Sequence, residues 1–192
     1  MKERKNKTRS EKMSLETMGL KTREKLSQTR LLLLDVDGVL TRGDIIYDDR
    51  GVEIKRFSVK DGLGLRLLMD AGTPAALVTG RRSEALAHRS RNLGVKLVFD
   101  GVRDKAALLG EIEKKTGVGP AEMAFVGDDL PDLPIMRRVG LSIAVSDACD
   151  EVKERADLVT EAPGGDGAVR EVCESILKAR GLWEGIIGRF VS

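Results

Sequence analysis

Aromatic side chains are scarce in this sequence of 192 residues, which has one Trp, one Tyr and four Phe. Aliphatic residues must therefore build the core, and there is little with which to stack nucleic-acid bases. Histidine is scarcer still. The single one, His88, sits in the polar stretch SEALAHRSRNLG, which reads as a helix surface, so a histidine triad or zinc site is not expected. Cys149 and Cys173 form no CxxC arrangement and read as buried thiols of a reducing compartment. The longest unbroken leucine run is four residues, too short for a transmembrane helix or a signal-peptide core, so no membrane association is expected.

What is present suffices for one domain. With 41% hydrophobic and 33% charged residues, the chain can bury a sizeable core. Charge is unevenly spread. Residues 1–30 hold ten Lys/Arg against four Asp/Glu, leaving 23 against 27 for the remainder. Residues 1–29 thus read as a basic, partly disordered extension, 30–180 as the folded domain and 181–192 as a tail. The extension contains no aromatic residue, and no nucleic-acid partner is expected.

Short apolar runs at 31–35, 75–79, 96–99, 123–127 and 141–145 read as strands. Helix-like segments lie near 61–71, 82–92, 104–116 and 132–138. The clearest helix carries Val169, Val172, Cys173, Ile176 and Leu177 at spacings of three and four. Continuous apolar strands alternating with helices predict an α/β fold, a Rossmann-like three-layer sandwich around a parallel sheet. Residues 44–58, DIIYDDRGVEIKRFS, break the alternation and predict a β-hairpin. PGGDG at 163–167 lacks the Lys-Ser/Thr of a nucleotide loop and reads as a turn.

Ligands of such a sheet bind at the carboxyl ends of its strands. The run LLLLDVDGV ends the first strand with Asp35 and Asp37, whose i, i+2 spacing points both carboxylates the same way while Val36 faces the core. The fourth strand ends in GDDLPD, bringing Asp128, Asp129 and Asp132 to the same rim. Clustered carboxylates need a compensating cation. Oxygen donors without nearby His or Cys favour Mg²⁺ over zinc. Thr79, Gly80 and Arg81 follow the second strand and Lys105 follows the third. A hydroxyl, an ammonium and a bound metal around one point suit a transferring phosphoryl group.

In this order, DVDGV, VTGR, Lys105 and GDDLPD resemble the four motifs of the haloacid dehalogenase superfamily, over roughly residues 30–160. The resemblance implies that Asp35 is a nucleophile forming an aspartyl-phosphate and that Asp37 is the general acid and then the base. It further implies that Thr79 and Lys105 hold the phosphoryl group. Asp35, the Asp37 backbone carbonyl and Asp128 would bind Mg²⁺, supported by Asp129 and Asp132. Ion pumps of the superfamily carry Thr at the position of Asp37 and dehalogenases lack that Asp, so a phosphatase or mutase is implied. The gaps from 37 to 79 and from 79 to 105 leave no room for a separate cap domain.

DVDGVLTRGDIIYDDRGVEIKRFSVKDGLGLRLL, VTGRRS, VGDDLPDLPIM and GGDGAVREVCE look more closely like the capless phosphatases acting on 3-deoxy-D-manno-octulosonate 8-phosphate. That family implies a cytoplasmic, Mg²⁺-dependent homotetramer in lipopolysaccharide-sugar synthesis, with the hairpins packed together. Relatives acting on nine-carbon sugar-acid phosphates keep the substrate open. Within this reading Lys60 and Arg66 would meet the sugar carboxylate, with Asp61 between them, although Asp61 equally suits a helix N-cap. The tail, with Trp183, Ile186, Ile187 and Phe190, would either pack on its own subunit or enter a neighbouring site.

Other classes fit less well. A phosphorelay receiver carries an adjacent acidic pair on its first strand, where this chain has Asp-x-Asp. A mutase needs a cap. An idle binding subunit would be expected to have lost Asp35, Asp37 or Lys105.

Overall fold

The computed structural model describes residues 19–191. Helix α1 (Leu20–Gln28) leads into strand β1 (Leu31–Leu34), and a hairpin of β2 (Ile46–Tyr47) and β3 (Glu53–Ile54) precedes α2 (Val59–Asp70). Then come β4 (Ala75–Val78), α3 (Glu84–Leu93), β5 (Leu97–Phe99), α4 (Leu109–Thr116) and β6 (Met123–Gly127). The chain continues through α5 (Leu133–Met136), β7 (Leu141–Ala144), α6 (Asp150–Lys153), β8 (Leu158–Val159), α7 (Ala168–Ala179) and α8 (Trp183–Val191).

Six strands form one parallel sheet in the order β5-β4-β1-β6-β7-β8, flanked by helices as the alternation predicts. Leu32 pairs with Ala75 on one side of β1 and Leu31 with Met123 on the other. All four leucines of β1 are fully buried. Each such burial contributes roughly 1.5–3 kcal/mol before entropy is counted, so the strand that ends at the acidic pair is firmly anchored. In LLLLDVD the apolar run fixes the sheet centre, and the charges emerge at its rim.

The structure adds elements that periodicity alone does not signal. β8 has only two residues and contributes too short a run to read as a strand. Helix α1 lies within the expected extension, so the packed body begins before residue 30. Its Leu26 is fully buried, α1 packs against α7, and Lys25 Nζ lies 2.6 Å from Asp157 Oδ1. One buried leucine among polar residues gives no clear stripe. The rest of the expected disordered arm, residues 1–18, falls outside the described residues. The tail is helix α8, packed on α7, with Ile186 buried. Trp183 lies under the cations of Arg170 and Lys178, 5.6 and 5.2 Å from its ring.

Two contacts connect this frame to the strand ends. Ser58 caps α2 by accepting from Asp61 N at 3.3 Å. The Asp61 carboxylate in turn accepts from Gly167 N at 3.2 Å and Arg170 N at 2.8 Å, satisfying the first turn of α7. The PGGDG turn packs against the loop that follows β1. A Cβ at Gly164 would stand 1.7 Å from the carbonyl oxygen of Gly38, and Gly165 N donates to Val39 O at 2.8 Å.

Candidate active site

The carboxyl ends of β1, β4, β5 and β6 surround a cavity of about 310 Å³. Asp35, Asp37, Thr79, Gly80, Arg81, Lys105, Asp128, Asp129 and Asp132 all line it. Most residues selected from the strand-end motifs are therefore brought together.

Local backbone rules place them. Asp35 N donates to Val126 O at 3.0 Å, extending the β1–β6 pairing one residue beyond the strand. The chain then turns away at Gly38, whose φ of +94° suits glycine. A side chain there would also collide with Asp128, since its Cβ would lie 2.1 Å from Asp128 Oδ2. Asp129 caps the short turn after β6, accepting from Leu130 N at 2.8 Å. Asp132, from the same turn, is almost wholly buried and accepts from Asp128 N at 2.9 Å.

Lys105 is the electrostatic hub. Its Nζ lies 2.8 Å from Asp35 Oδ1 and 2.6 Å from Asp132 Oδ1. Burial works against the ammonium, but the carboxylates of Asp35 and Asp132 outweigh it and hold its pKa above the ordinary lysine value. Asp35 is pushed up to about 6, by burial first and the negative charge of Asp132 second, with Lys105 opposing. Asp128 is pushed up to about 8 by burial and by the charges of Asp35 and Asp132.

These shifts mark a site short of positive charge. Carboxylate oxygens of Asp35, Asp128 and Asp132 lie within 4.8 Å of one another. Asp128 Oδ1 is buried without a hydrogen-bond partner. Both Asp132 oxygens already serve Lys105 and the Asp128 backbone. Asp35 and Asp128 are thus the side chains with oxygens to offer, and an all-oxygen donor set fits Mg²⁺. Asp132 holds their surroundings in place.

Comparison with known proteins agrees with this geometry. The haloacid dehalogenase-like hydrolase family model matches residues 97–172. The 3-deoxy-D-manno-octulosonate 8-phosphate phosphatase KdsC of Escherichia coli (strain K12) is 43% identical over 87% of this chain and 89% of its own. The chain belongs to the haloacid dehalogenase-like octulosonate 8-phosphate phosphatases. Another family member, from Moraxella catarrhalis and solved in complex with magnesium ion, phosphate ion and KDO, superposes with a TM-score of 0.86. It is 41% identical over 88% of this chain and 97% of its own. The Yersinia pestis octulosonate phosphatase gives the same TM-score at 40% identity, covering 88% and 91%.

Three residues expected at the octulosonate phosphatase site lie elsewhere. Asp61 is spent on α7, Arg66 reaches Asn92 O at 2.5 Å, and Lys60 is exposed to solvent. None of them lines the cavity of this subunit. Phe57, at the end of the hairpin segment, packs partly buried on the core with Arg89 5.7 Å from its ring.

Sequence reasoning also misses three charged residues that the fold brings in. Arg103 lines the cavity. Lys55 pairs with Asp37, and Glu53 receives Arg81 NH2 at 2.7 Å. The signal for the last two is Glu53-Ile54-Lys55: opposite charges two apart on an extended segment share a face, here the one that meets Asp37 and Arg81.

Proposed function

We propose that this chain hydrolyses 3-deoxy-D-manno-octulosonate 8-phosphate to the free sugar acid and phosphate, in lipopolysaccharide-sugar synthesis. The observation that carries it is the junction at Lys105, where one ammonium touches Asp35 beside Asp128 at the end of β1. Asp35 attacks phosphorus, forming an Asp35 carboxylate–phosphorus bond as the bond to the sugar oxygen breaks. Asp37 gives its proton to the departing sugar oxygen. The resulting Asp37 carboxylate then takes a proton from water, which attacks phosphorus, releases phosphate and restores Asp35. Lys105 and Thr79 neutralise and orient the phosphoryl oxygens. Asp35, Asp128 and the Asp37 backbone carbonyl would hold Mg²⁺, which would supply charge neutralisation when bound, with Asp129 and Asp132 supporting these ligands.

A two-stranded hairpin is marginal alone, yet Ile45, Ile46, Tyr47, Val52 and Ile54 all stand exposed on this one. Hairpin packing in a homotetramer would cover them and bring Lys60 and Arg66 of one subunit toward a neighbour's sugar carboxylate. Gly80 and Arg81, at the cavity wall, read the same substrate. Two unpaired thiols, Cys149 and Cys173, suit a cytoplasmic setting. No helix of the described residues is long and apolar enough to cross a membrane.

The test is phosphate release from a panel of eight- and nine-carbon sugar-acid phosphates, with Mg²⁺ and with chelator. Mg²⁺-dependent preference for the octulosonate ester is expected. Preference for a nine-carbon ester would move the substrate while keeping the chemistry, and release that survives chelation would remove both.

A further inference from the structure

We infer that Lys55, delivered by the hairpin, is the positioning residue that aims the Asp37 carboxylate at the leaving-group oxygen. The inference rests on the phosphatase reading above and adds a residue to it.

A lysine whose side chain is only 3% exposed is uncommon, because a buried ammonium must be paired to offset its desolvation. Lys55 is paired twice. Its Nζ contacts Asp37 Oδ1 and lies 3.4 Å from Glu53 Oε1. Glu53 also accepts from Arg81 NH2 at 2.7 Å, and Arg81 Nε stands 3.8 Å from Asp37 Oδ2. The four side chains close a ring of alternating charge. Two of them come from the hairpin, one from the end of β1 and one from the turn after β4.

The ring treats the two oxygens of Asp37 differently. Oδ1 is held by Lys55, whereas Oδ2 is buried and has no hydrogen-bond partner. An Asp carboxyl turns easily about its last torsion, which is broad and roughly two-fold. An ammonium fixed on one oxygen removes that freedom and leaves the other oxygen as the one able to exchange a proton with the substrate. Small losses of alignment at such a group cost rate steeply. A merely structural hairpin brace would need only the exposed-side pair of Glu53 and Arg81. Placing Lys55 on the general acid itself is the additional feature.

The leaving group supplies the test. Departure of an alkoxide requires a proton from Asp37, whereas departure of 2,4-dinitrophenolate does not. Lys55→Met should therefore lower kcat/KM for the sugar-acid phosphate by about 10²-fold, the low end of a general acid's contribution. For 2,4-dinitrophenyl phosphate the loss should be no more than a few fold. kcat/KM is the right measure because it reports steps only through departure of the alcohol. In an Asp37→Asn background the same substitution should cost little, since both changes remove one function. If Lys55→Met does not fold, Glu53→Gln frees Lys55 from its second partner and should show the same selectivity at smaller size. Equal losses for the two esters in whichever variant folds, or full additivity with Asp37→Asn, would overturn the inference. If the wild-type protein prefers another alkyl phosphate, that ester replaces the octulosonate in the same comparison, so the substrate reading can fail without touching the role of Lys55.

Discussion

Lys105 Nζ lies 2.8 Å from Asp35 Oδ1, so the proposed nucleophile and the cation that offsets its charge form one unit. Asp35→Asn should abolish phosphate release, because the amide has no oxygen anion with which to attack. Lys105→Met should keep the nucleophile but lose fixed positive charge at the phosphoryl oxygens, a change of about 10²–10³-fold in kcat. Phosphate-release kinetics at saturating Mg²⁺ separate the two, and substantial turnover by Asp35→Asn would contradict the covalent mechanism.

Asp37→Asn should cost about 10²–10⁴-fold in turnover of the sugar-acid phosphate. The metal contact assigned to this position uses the backbone carbonyl, so Mg²⁺ affinity by titration calorimetry should hardly change. A collapse of Mg²⁺ binding would show that the side chain is a ligand instead.

Asp35 at about 6 and Asp128 at about 8 both stand above the ordinary value of 3.8. The metal-free folded chain thus binds more protons than the unfolded chain between about pH 4 and pH 8, and its stability should decline as pH rises through that window. Protons compete with the cation for the same oxygens, so apparent Mg²⁺ affinity should rise over the same interval, with proton release on binding. Melting temperatures measured with chelator and with Mg²⁺ across this range test both trends. The metal-free decline should be shallower in Asp128→Ala.

Asp61→Ala should lower stability by about 1–2 kcal/mol, the upper range for loss of a helix cap. The Asp61 carboxylate satisfies two amides of α7 while buried, and no other side chain of the described residues accepts from them. Denaturant unfolding gives the difference directly. KM for the substrate should be unchanged, whereas a raised KM with normal stability would return Asp61 to the binding residues.

The homotetramer that the family resemblance implies, with the exposed hairpin residues covered, predicts a scattering mass of about four times 20.9 kDa. Replacing Ile46 and Ile54, which face each other across the two strands, by lysine should dissociate the assembly without unfolding the sheet. A monomeric wild-type protein with full activity would exclude a site shared between subunits.

The strand-end chemistry was legible in the sequence because it depends on local spacing. Asp35-Val36-Asp37 on an extended segment and the GDDLPD turn dictate their own directions, and alternating apolar runs dictate the sheet. Contacts between distant segments were not legible. Nothing near Asp61 reveals that its partner is α7, since Ser58 ahead of it already supplies a local cap. Lys55 is one of many surface-type lysines until the hairpin brings it to Asp37. α1 hides its single buried leucine among charges, and β8 takes its existence from pairing with β7 rather than from its own two residues.

Gly164 carries no chemistry, yet the space it leaves is filled by the carbonyl of Gly38, the residue next to Asp37. Any side chain at 164 must push that peptide, which begins one residue after Asp37. Variation at this distant turn should therefore register as lost turnover before it registers as lost folding. A catalogue of tolerated substitutions would group Gly164 with the reacting residues, although in the linear chain it looks like an ordinary bend ahead of a helix.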